Sequence, residues 1–231
     1  MNCHVFVDFD GTIVPDDATN QLLDRFAPAS WLEIEEEWQT GKIGSRECME
    51  RQIDLVRARP EELDAFLAAV RIDPDFSAFV GICKRNGARV TVVSDGLDRC
   101  VRPVLKAANL DLPFFANRLE WLGEDRWRLA FPHAKEDCGA LMGNCKCAVA
   151  RGPASTVRIM IGDGRSDFCI ASTAHFVLAK SNLLEHCRTN ELPHKAFKNF
   201  AEAGRIITQW FARRAQPQVR ESASIGVGEK R

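Results

Sequence analysis

Cys3-His4-Val5-Phe6-Val7-Asp8-Phe9-Asp10-Gly11-Thr12-Ile13 is the stretch from which the fold can be read. Its first half is a short apolar run of β-branched and aromatic residues, the pattern of a buried strand. It then runs into two acids flanking Phe9 and a Gly-Thr turn. Residues i and i+2 of a strand share a face, so where the strand ends Asp8 and Asp10 converge on one pocket. Carboxylates that close repel unless a cation or a shared proton lies between them. Mg²⁺ is the natural remedy, because it takes one or two carboxylates together with substrate phosphate.

The chain has 231 residues, which suits one large domain or a core with a smaller insert. With 45% hydrophobic and 27% charged residues it has the composition of a globular protein with a real core. A formal net charge of -1 offers no basic field for nucleic acid. No apolar run approaches the length of a membrane span, and with so early a first strand no signal peptide is expected. The nine cysteines are scattered and odd in number, as expected of reduced core thiols in a cytoplasmic protein. His133, Cys138, Cys145 and Cys147 form the one cluster with metal-ligand character, but Cys-x-Cys is an unusual zinc spacing and plain thiols are expected. Nothing in the pattern sets an oligomeric state.

After the turn Val14-Pro15-Asp16-Asp17, residues 18–69 show helical spacing, broken at Pro28, Gly41–Gly44 and Arg59-Pro60. Ser30 and Ser45 are expected N-caps within this four-helix insert. Residues 76–85 read as a helix, 88–93 as a strand stopping at Ser94-Asp95-Gly96, and 97–108 as a helix that Pro103 starts or kinks. Residues 114–131 read as a hairpin turning at Gly123-Glu124-Asp125. A short helix is expected near Cys145 or Lys146, strands at 156–161 and 175–179, a helix between them, and a terminal helix over 197–213. The division is a core of 1–14 and 73–215, a helical cap of 15–72, and a flexible tail of 216–231. Alternating strands and helices make an α/β fold, a Rossmann-like parallel sheet with helices on both faces. Three strands end in polar turns at Asp8, Ser94 and Asp163, and ligands of such sheets bind outside the carboxyl ends of the strands.

Asp8-Phe9-Asp10-Gly11-Thr12-Ile13 resembles the first motif of the haloacid dehalogenase superfamily. Val92-Val93-Ser94 is similar to its second motif, Lys146 to its third, and Gly162-Asp163-Gly164-Arg165-Ser166-Asp167 to its fourth. The resemblance implies a phosphatase in which Asp8 is the nucleophile and Asp10 the acid/base. Mg²⁺ would be held by Asp8, the main-chain carbonyl of Asp10, and Asp163. Lys146 would lie on the phosphoryl oxygens, with Ser94, Asp95 and Gly96 beside the substrate. Asp167 would orient Lys146 or a metal-bound water. Asp17 has two open readings, a leaving-group contact or a helix-terminal acid.

The small helical insert resembles the cap of the phosphoserine-phosphatase-like branch. Phe26-Ala27-Pro28 before Trp31, Phe131-Pro132-His133, the Cys-Lys pair at 145–146, and Asn182-Leu183-Leu184 before Cys187 look like the methionine-salvage phosphatases, which act on 2-hydroxy-3-keto-5-methylthiopentenyl-1-phosphate. Those relatives carry Ser-Gly-Gly where this chain has Ser94-Asp95-Gly96. The negative charge at Asp95 counts against a leaving group with a carboxylate close to the phosphate. The expected partner is therefore a small phosphorylated metabolite: the methylthio compound first, pyridoxine or pyridoxal phosphate second, phosphoserine third. If phosphoserine were the substrate, Asp17 with Arg46 or Arg51 would clamp it. The non-enzyme alternative is a degenerate member that only binds such a metabolite.

Overall fold

The computed structural model describes residues 2–138 and 141–215, with Ala215 by its backbone alone. The expected tail of 216–231 lies outside the described residues. Strand β1 (Cys3–Val7) is the middle of a seven-stranded sheet, and its side chains alternate as a pleat demands. Cys3, Val5 and Val7 enter one apolar core, whereas Phe6 enters a second core on the other face. Strands β2 (Ala88–Leu97) and β5 (Val157–Gly162) flank β1 in parallel, with Val7 paired to both Val92 and Ile161. They repeat the alternation: Val92 and Ile161 face the first core, Val93 and Met160 the second. A strand covered on both faces reads as a near-continuous hydrophobic run, which these three are.

Outward from β2 come β3 (Phe114–Gly123) and β4 (Arg126–Ala130), the expected hairpin; outward from β5 come β6 (Phe176–Ala179) and β7 (His194–Ala196). The order is β4-β3-β2-β1-β5-β6-β7, parallel except for β4. The connections leave β1 in opposite directions, so a crevice opens at the carboxyl ends of β1, β2 and β5.

Four helices fill the first insert: α1 (Ala18–Phe26), α2 (Trp31–Gln39), α3 (Ser45–Asp54) and α4 (Pro60–Ala68). The chain returns at Asp73, whose N–H donates to the Ile13 carbonyl, 2.8 Å away. The insert also meets the hairpin, where the Trp127 indole donates to the Ala58 carbonyl at 2.8 Å. Helices α5 (Phe76–Arg85) and α10 (Phe200–Ala215) cover the first face. Phe200 meets Phe76 and Phe79 there edge to face, at about 0.5–1.5 kcal/mol per aromatic pair beyond burial. Helix α6 (Asp98–Ala107) follows β2 and retains Pro103 inside it. The second face carries α7 (Lys146–Val149), α8 (Phe168–Ala171) and α9 (Ser181–Thr189).

Several expectations change in detail. Helix α9 and strand β7 were not expected; α9 begins at Ser181 with positive φ, a start that its apolar spacing does not announce. Strand β2 continues through Ser94-Asp95-Gly96 to Leu97. The terminal helix begins at Phe200, where Asp73 Oδ2 accepts the Phe200 N–H at 3.0 Å. Ser30 occupies the N-cap of α2 but makes no capping hydrogen bond. Ser45 is not a cap: Gly44 takes that position, because the Ser45 hydroxyl is committed to Asp95 across 2.7 Å. Among the described residues no helix is long and apolar enough to cross a membrane.

Candidate active site

Three carboxylates and one ammonium meet at the carboxyl edge of the sheet. The Asp8 N–H donates to the Ile161 carbonyl at 2.9 Å, continuing the ladder beyond β1 and pinning Asp8 beside β5. Phe9 sinks completely into the first core, so its neighbours Asp8 and Asp10 both turn to the crevice. Asp163 follows β5, and its Oδ1 accepts the Thr12 hydroxyl at 2.8 Å. Asp167 closes the 3-10 turn Arg165–Asp167 and is wholly enclosed. Its Oδ2 accepts the N–H groups of Asp163 (3.1 Å) and Gly164 (3.3 Å). Lys146, at the first position of α7, donates from Nζ to Asp8 Oδ1 (2.5 Å) and Asp167 Oδ1 (2.6 Å).

Burial sets the electrostatics. It pushes the Asp8 carboxyl up to about 7, against the pull of Lys146 and with a further push from Asp163. Asp167 is pushed to about 7 by burial and by the Asp8 charge. Asp163 is raised by burial despite the Thr12 hydrogen bond. Burial works to lower the Lys146 pKa, but the facing carboxylates of Asp167 and Asp8 outweigh it and hold the ammonium well above the usual lysine range. Asp8, Asp163 and Asp167 offer oxygens within 4.8 Å of one another and could hold a divalent cation. With a single ammonium among three carboxylates the cluster lacks positive charge, and an oxygen-loving ion fits that deficit. The expected ligand set named Asp8, Asp10 and Asp163. Asp167 stands closer to the cluster than that set implied, but its oxygens are taken by Lys146 and two N–H groups.

Asp10 faces the same crevice with Oδ1 accepting the Ala18 N–H at 2.9 Å. Burial, then the charges of Asp17 and Asp8, raise its pKa well above the carboxylate range. Gly96 packs against it so closely that a Cβ there would overlap the Asp10 carboxylate. Ser94 is buried, and its Oγ accepts the Gly96 N–H at 2.9 Å, shaping that approach. Asp17 caps α1, its Oδ1 accepting the Asn20 N–H at 2.9 Å, and also lines the cavity over the site. Both of its sequence readings are therefore compatible with one placement.

That cavity holds about 180 Å³ between the insert and the sheet edge. Sequence reasoning gave no site role to several residues of its wall, among them Thr19, Glu35, Gln52 and Arg165. Helical spacing marks Glu35 and Gln52 only as polar-face residues; the pairing of α2 with α3, where Gln52 Nε2 donates to Glu35 Oε2 at 3.0 Å, turns them inward. The Arg165 guanidinium sits 5.3 Å over the Trp38 ring and donates to the Gln39 carbonyl at 3.2 Å, joining the insert to the loop after β5. Trp31 packs in the first core, whereas Trp38 lines the cavity. Arg51 pairs with Glu37 at 2.6 Å, and Arg46 lies over Phe131; neither lines the cavity. Apart from the site, Cys145 Sγ lies 3.4 Å from Cys147 Sγ, Cys138 and Cys145 pack with Met142, and His133 meets the Phe115 ring edge.

The family model described as haloacid dehalogenase-like hydrolase matches residues 5–172. A 2-hydroxy-3-keto-5-methylthiopentenyl-1-phosphate phosphatase of Brevibacillus brevis is 32% identical over 211 residues, covering 89% of this chain and 95% of that one. Its namesake from Exiguobacterium is 31% identical over 210 residues, covering 87% and 94%. Among solved structures, a substrate-bound phosphoserine phosphatase superposes with a TM-score of 0.67 at 19% identity, over 91% of this chain and 98% of that one. A phospho-aspartyl intermediate analogue of phosphoserine phosphatase gives 0.66 at 20% identity, over 90% and 97%. These two likenesses speak to the fold.

Proposed function

The chain belongs to the haloacid dehalogenase-like hydrolase family, and we propose that it is a Mg²⁺-dependent phosphatase of a small phosphomonoester, acting through phosphorylated Asp8. One observation carries this reading: Lys146 from α7 joins Asp8 after β1 to Asp167 after β5, with Asp10 and Asp163 alongside.

Asp8 is the nucleophile. Its carboxylate oxygen attacks phosphorus, the bond to the leaving oxygen breaks, and an aspartyl-phosphate forms. Lys146 orients that carboxylate and sets positive charge against the phosphoryl oxygens. Asp10, whose pKa is raised by burial and by the Asp17 and Asp8 charges, gives a proton to the leaving oxygen and then takes one from the water that hydrolyses the acyl phosphate. The Ser94 hydroxyl donates to the phosphoryl oxygens, and Asp167 keeps Lys146 in line. Asp8, the Asp10 carbonyl and Asp163 would hold Mg²⁺, which would supply the positive charge needed to offset the repulsion between carboxylate and phosphate dianion.

The insert of 15–72 acts as a cap over a core of 1–14 and 73–215. A closed cap excludes water and encloses the leaving group, and a cavity of about 180 Å³ suits compact metabolites rather than polymers. We rank 2-hydroxy-3-keto-5-methylthiopentenyl-1-phosphate first, on the names of the relatives, and pyridoxine or pyridoxal phosphate second. Phosphoserine ranks last: Asp17 and Glu35 face the cavity, Arg46 and Arg51 are engaged elsewhere, and the Arg165 guanidinium in the wall is held over Trp38 and on the Gln39 carbonyl, so a substrate carboxylate lacks a free clamp. Nine free thiols fit a reducing cytoplasm. The test is kcat/KM over a panel of these phosphates with Mg²⁺ and with EDTA. Phosphoserine winning by tenfold, about 1.4 kcal/mol of transition-state binding, would reverse the ranking. No Mg²⁺-dependent turnover of any phosphate, p-nitrophenyl phosphate included, would leave a binding protein.

A further inference from the structure

Asp95 brings an acid to the rim of a site built for an anion, yet its carboxylate is already committed. Oδ2 accepts the Ser45 hydroxyl at 2.7 Å, and Oδ1 accepts the Asn144 N–H at 2.7 Å and the Asn117 amide at 3.3 Å. The Asp95 carbonyl accepts the same Asn117 amide at 2.6 Å. These donors come from three separate places: the first turn of α3 in the insert, strand β3, and the loop two residues before Lys146. Ser45 is 6% exposed, and Asn117 and Asn144 are fully enclosed.

The Asn144 side chain ties that loop further to the sheet, donating to the carbonyls of Ser94 (2.8 Å) and Phe115 (2.9 Å). The start of α3 rests on the same loop, with the Arg46 N–H donating to the Leu141 carbonyl at 3.0 Å. A carboxylate is acceptor-only and has lone pairs for all of these donors at once. An uncharged residue could not serve them equally. Donors on both oxygens also absorb charge that would otherwise repel a phosphate.

We propose that Asp95 is a positioning residue: by joining Ser45 of the insert to Asn144 of the Lys146 loop, it sets Lys146 in reach of Asp8 when the insert is docked. This rests on the role given to Lys146 above. Asp95 lines the cavity, but both its oxygens are engaged by these donors. Removing it lets the loop, and the ammonium at its end, drift by a fraction of an ångström, which is enough to slow a reaction that depends on alignment.

The experiment is a double-mutant cycle on the full chain with Mg²⁺ and p-nitrophenyl phosphate. Asp95→Asn should lower kcat by about 30-fold with KM changed less than about threefold. In a Lys146→Ala background the same change should cost less than about twofold, because the residue acts through Lys146. Ser45→Ala, a milder change on the insert side, should lower kcat a few-fold and show the same non-additivity; it decides the matter if Asp95→Asn does not fold. Full additivity with Lys146→Ala, or an Asp95→Asn effect confined to KM, overturns the proposal. If Lys146→Ala alone leaves kcat near wild type, the role of Lys146 fails first and takes this inference with it.

Discussion

Lys146 Nζ lies 2.5 Å from Asp8 Oδ1, and the two side chains are 0% and 7% exposed. Asp167, also fully enclosed, takes the other side of the ammonium at 2.6 Å. Lys146→Met would leave two buried carboxylates facing each other without a cation. Breaking such a pair from one side costs about 3 kcal/mol. Urea unfolding in EDTA should show a loss of that order, partly restored by Mg²⁺, and phosphatase activity should fall by about 100-fold or more. Unchanged stability would mean that Asp8 and Asp167 are neutral and do not need the lysine.

Asp8→Asn should abolish turnover while the protein still unfolds cooperatively, since an amide is a poor nucleophile. Asp10→Asn should slow turnover through lost acid/base chemistry. With p-nitrophenyl phosphate, whose leaving group needs little protonation, the Asp10→Asn protein should accumulate phosphate on Asp8. Peptide mass spectrometry after acid quench reads the site directly; phosphate on any other residue would reject Asp8 as nucleophile.

Metal and pH should be linked. The carboxyls of Asp8 and Asp167 are pushed by burial up to about 7, above the ordinary carboxylate value of about 4 that they have unfolded. From about pH 4 to 7 the folded state therefore holds protons that the unfolded chain has released. Their contribution is present in acid and is lost as pH rises through 7. In EDTA the parent should lose stability relative to Asp8→Asn between pH 5 and 8, by roughly one or more kcal/mol. Excess Mg²⁺ should stabilise the parent more at pH 8 than at pH 5, as an ion that competes with protons must. His4 is pushed down to about 4, by burial and then by Arg89; it acts in the opposite sense, losing stability as pH falls below its unfolded value. The comparison with Asp8→Asn removes that background. Equal Mg²⁺ stabilisation at both pH values would contradict a site built on these carboxyls.

Gly162→Ala tests how closely the end of β5 approaches the site. An added Cβ would overlap the Asp167 carboxylate, with its Cγ 2.6 Å away. Overpacking of this kind costs about 1–3 kcal/mol. The displaced Asp167 Oδ2 would lose the N–H groups of Asp163 and Gly164, and the shift would carry Oδ1 away from Lys146, so both thermal stability and kcat should fall. Gly152→Ala is the control, since nothing lies within 4 Å of its added methyl, and it should shift stability by less than about 0.5 kcal/mol.

The cysteines near Lys146 should be ordinary thiols. Burial pushes Cys145 up to about 12 and raises Cys147 and Cys169 as well, which disfavours the thiolate that zinc needs. Protein purified without chelator should carry no stoichiometric zinc by elemental analysis. One zinc per chain, retained through gel filtration, would assign a structural metal to Cys138, Cys145 and Cys147.

Much of this protein is legible in local sequence because local physics decides it. A buried parallel strand must be apolar on both faces, so β1, β2 and β5 announce themselves, and the polar residues that interrupt them must lie where the strands leave the core. That places Asp8, Ser94 and Asp163 at one edge before any coordinates are known. Helical spacing and the breaks at Pro28, Gly41 and Pro60 likewise delimit the four helices of the insert. Short elements read less well: β7 has three residues and α9 starts at a positive-φ serine, so neither carries enough periodicity to stand out.

What tertiary structure alone decides is how distant polar groups divide their hydrogen bonds. Nothing in the spacing of Ser45, Asp95 and Asn144 says that one carboxylate joins them, and a plausible cap serine becomes the donor that occupies Asp95. Glu35 and Gln52 look like solvated helix positions until α2 and α3 pair over the cavity. Lys146 is one of many lysines by composition; the family resemblance singles it out, but only the tertiary structure encloses it between Asp8 and Asp167. The sequence by itself determines which segments are buried, since burial follows from apolar pattern. Packing must bring segments together from across the chain before a charged side chain has a partner, and the partner decides its charge state and its role.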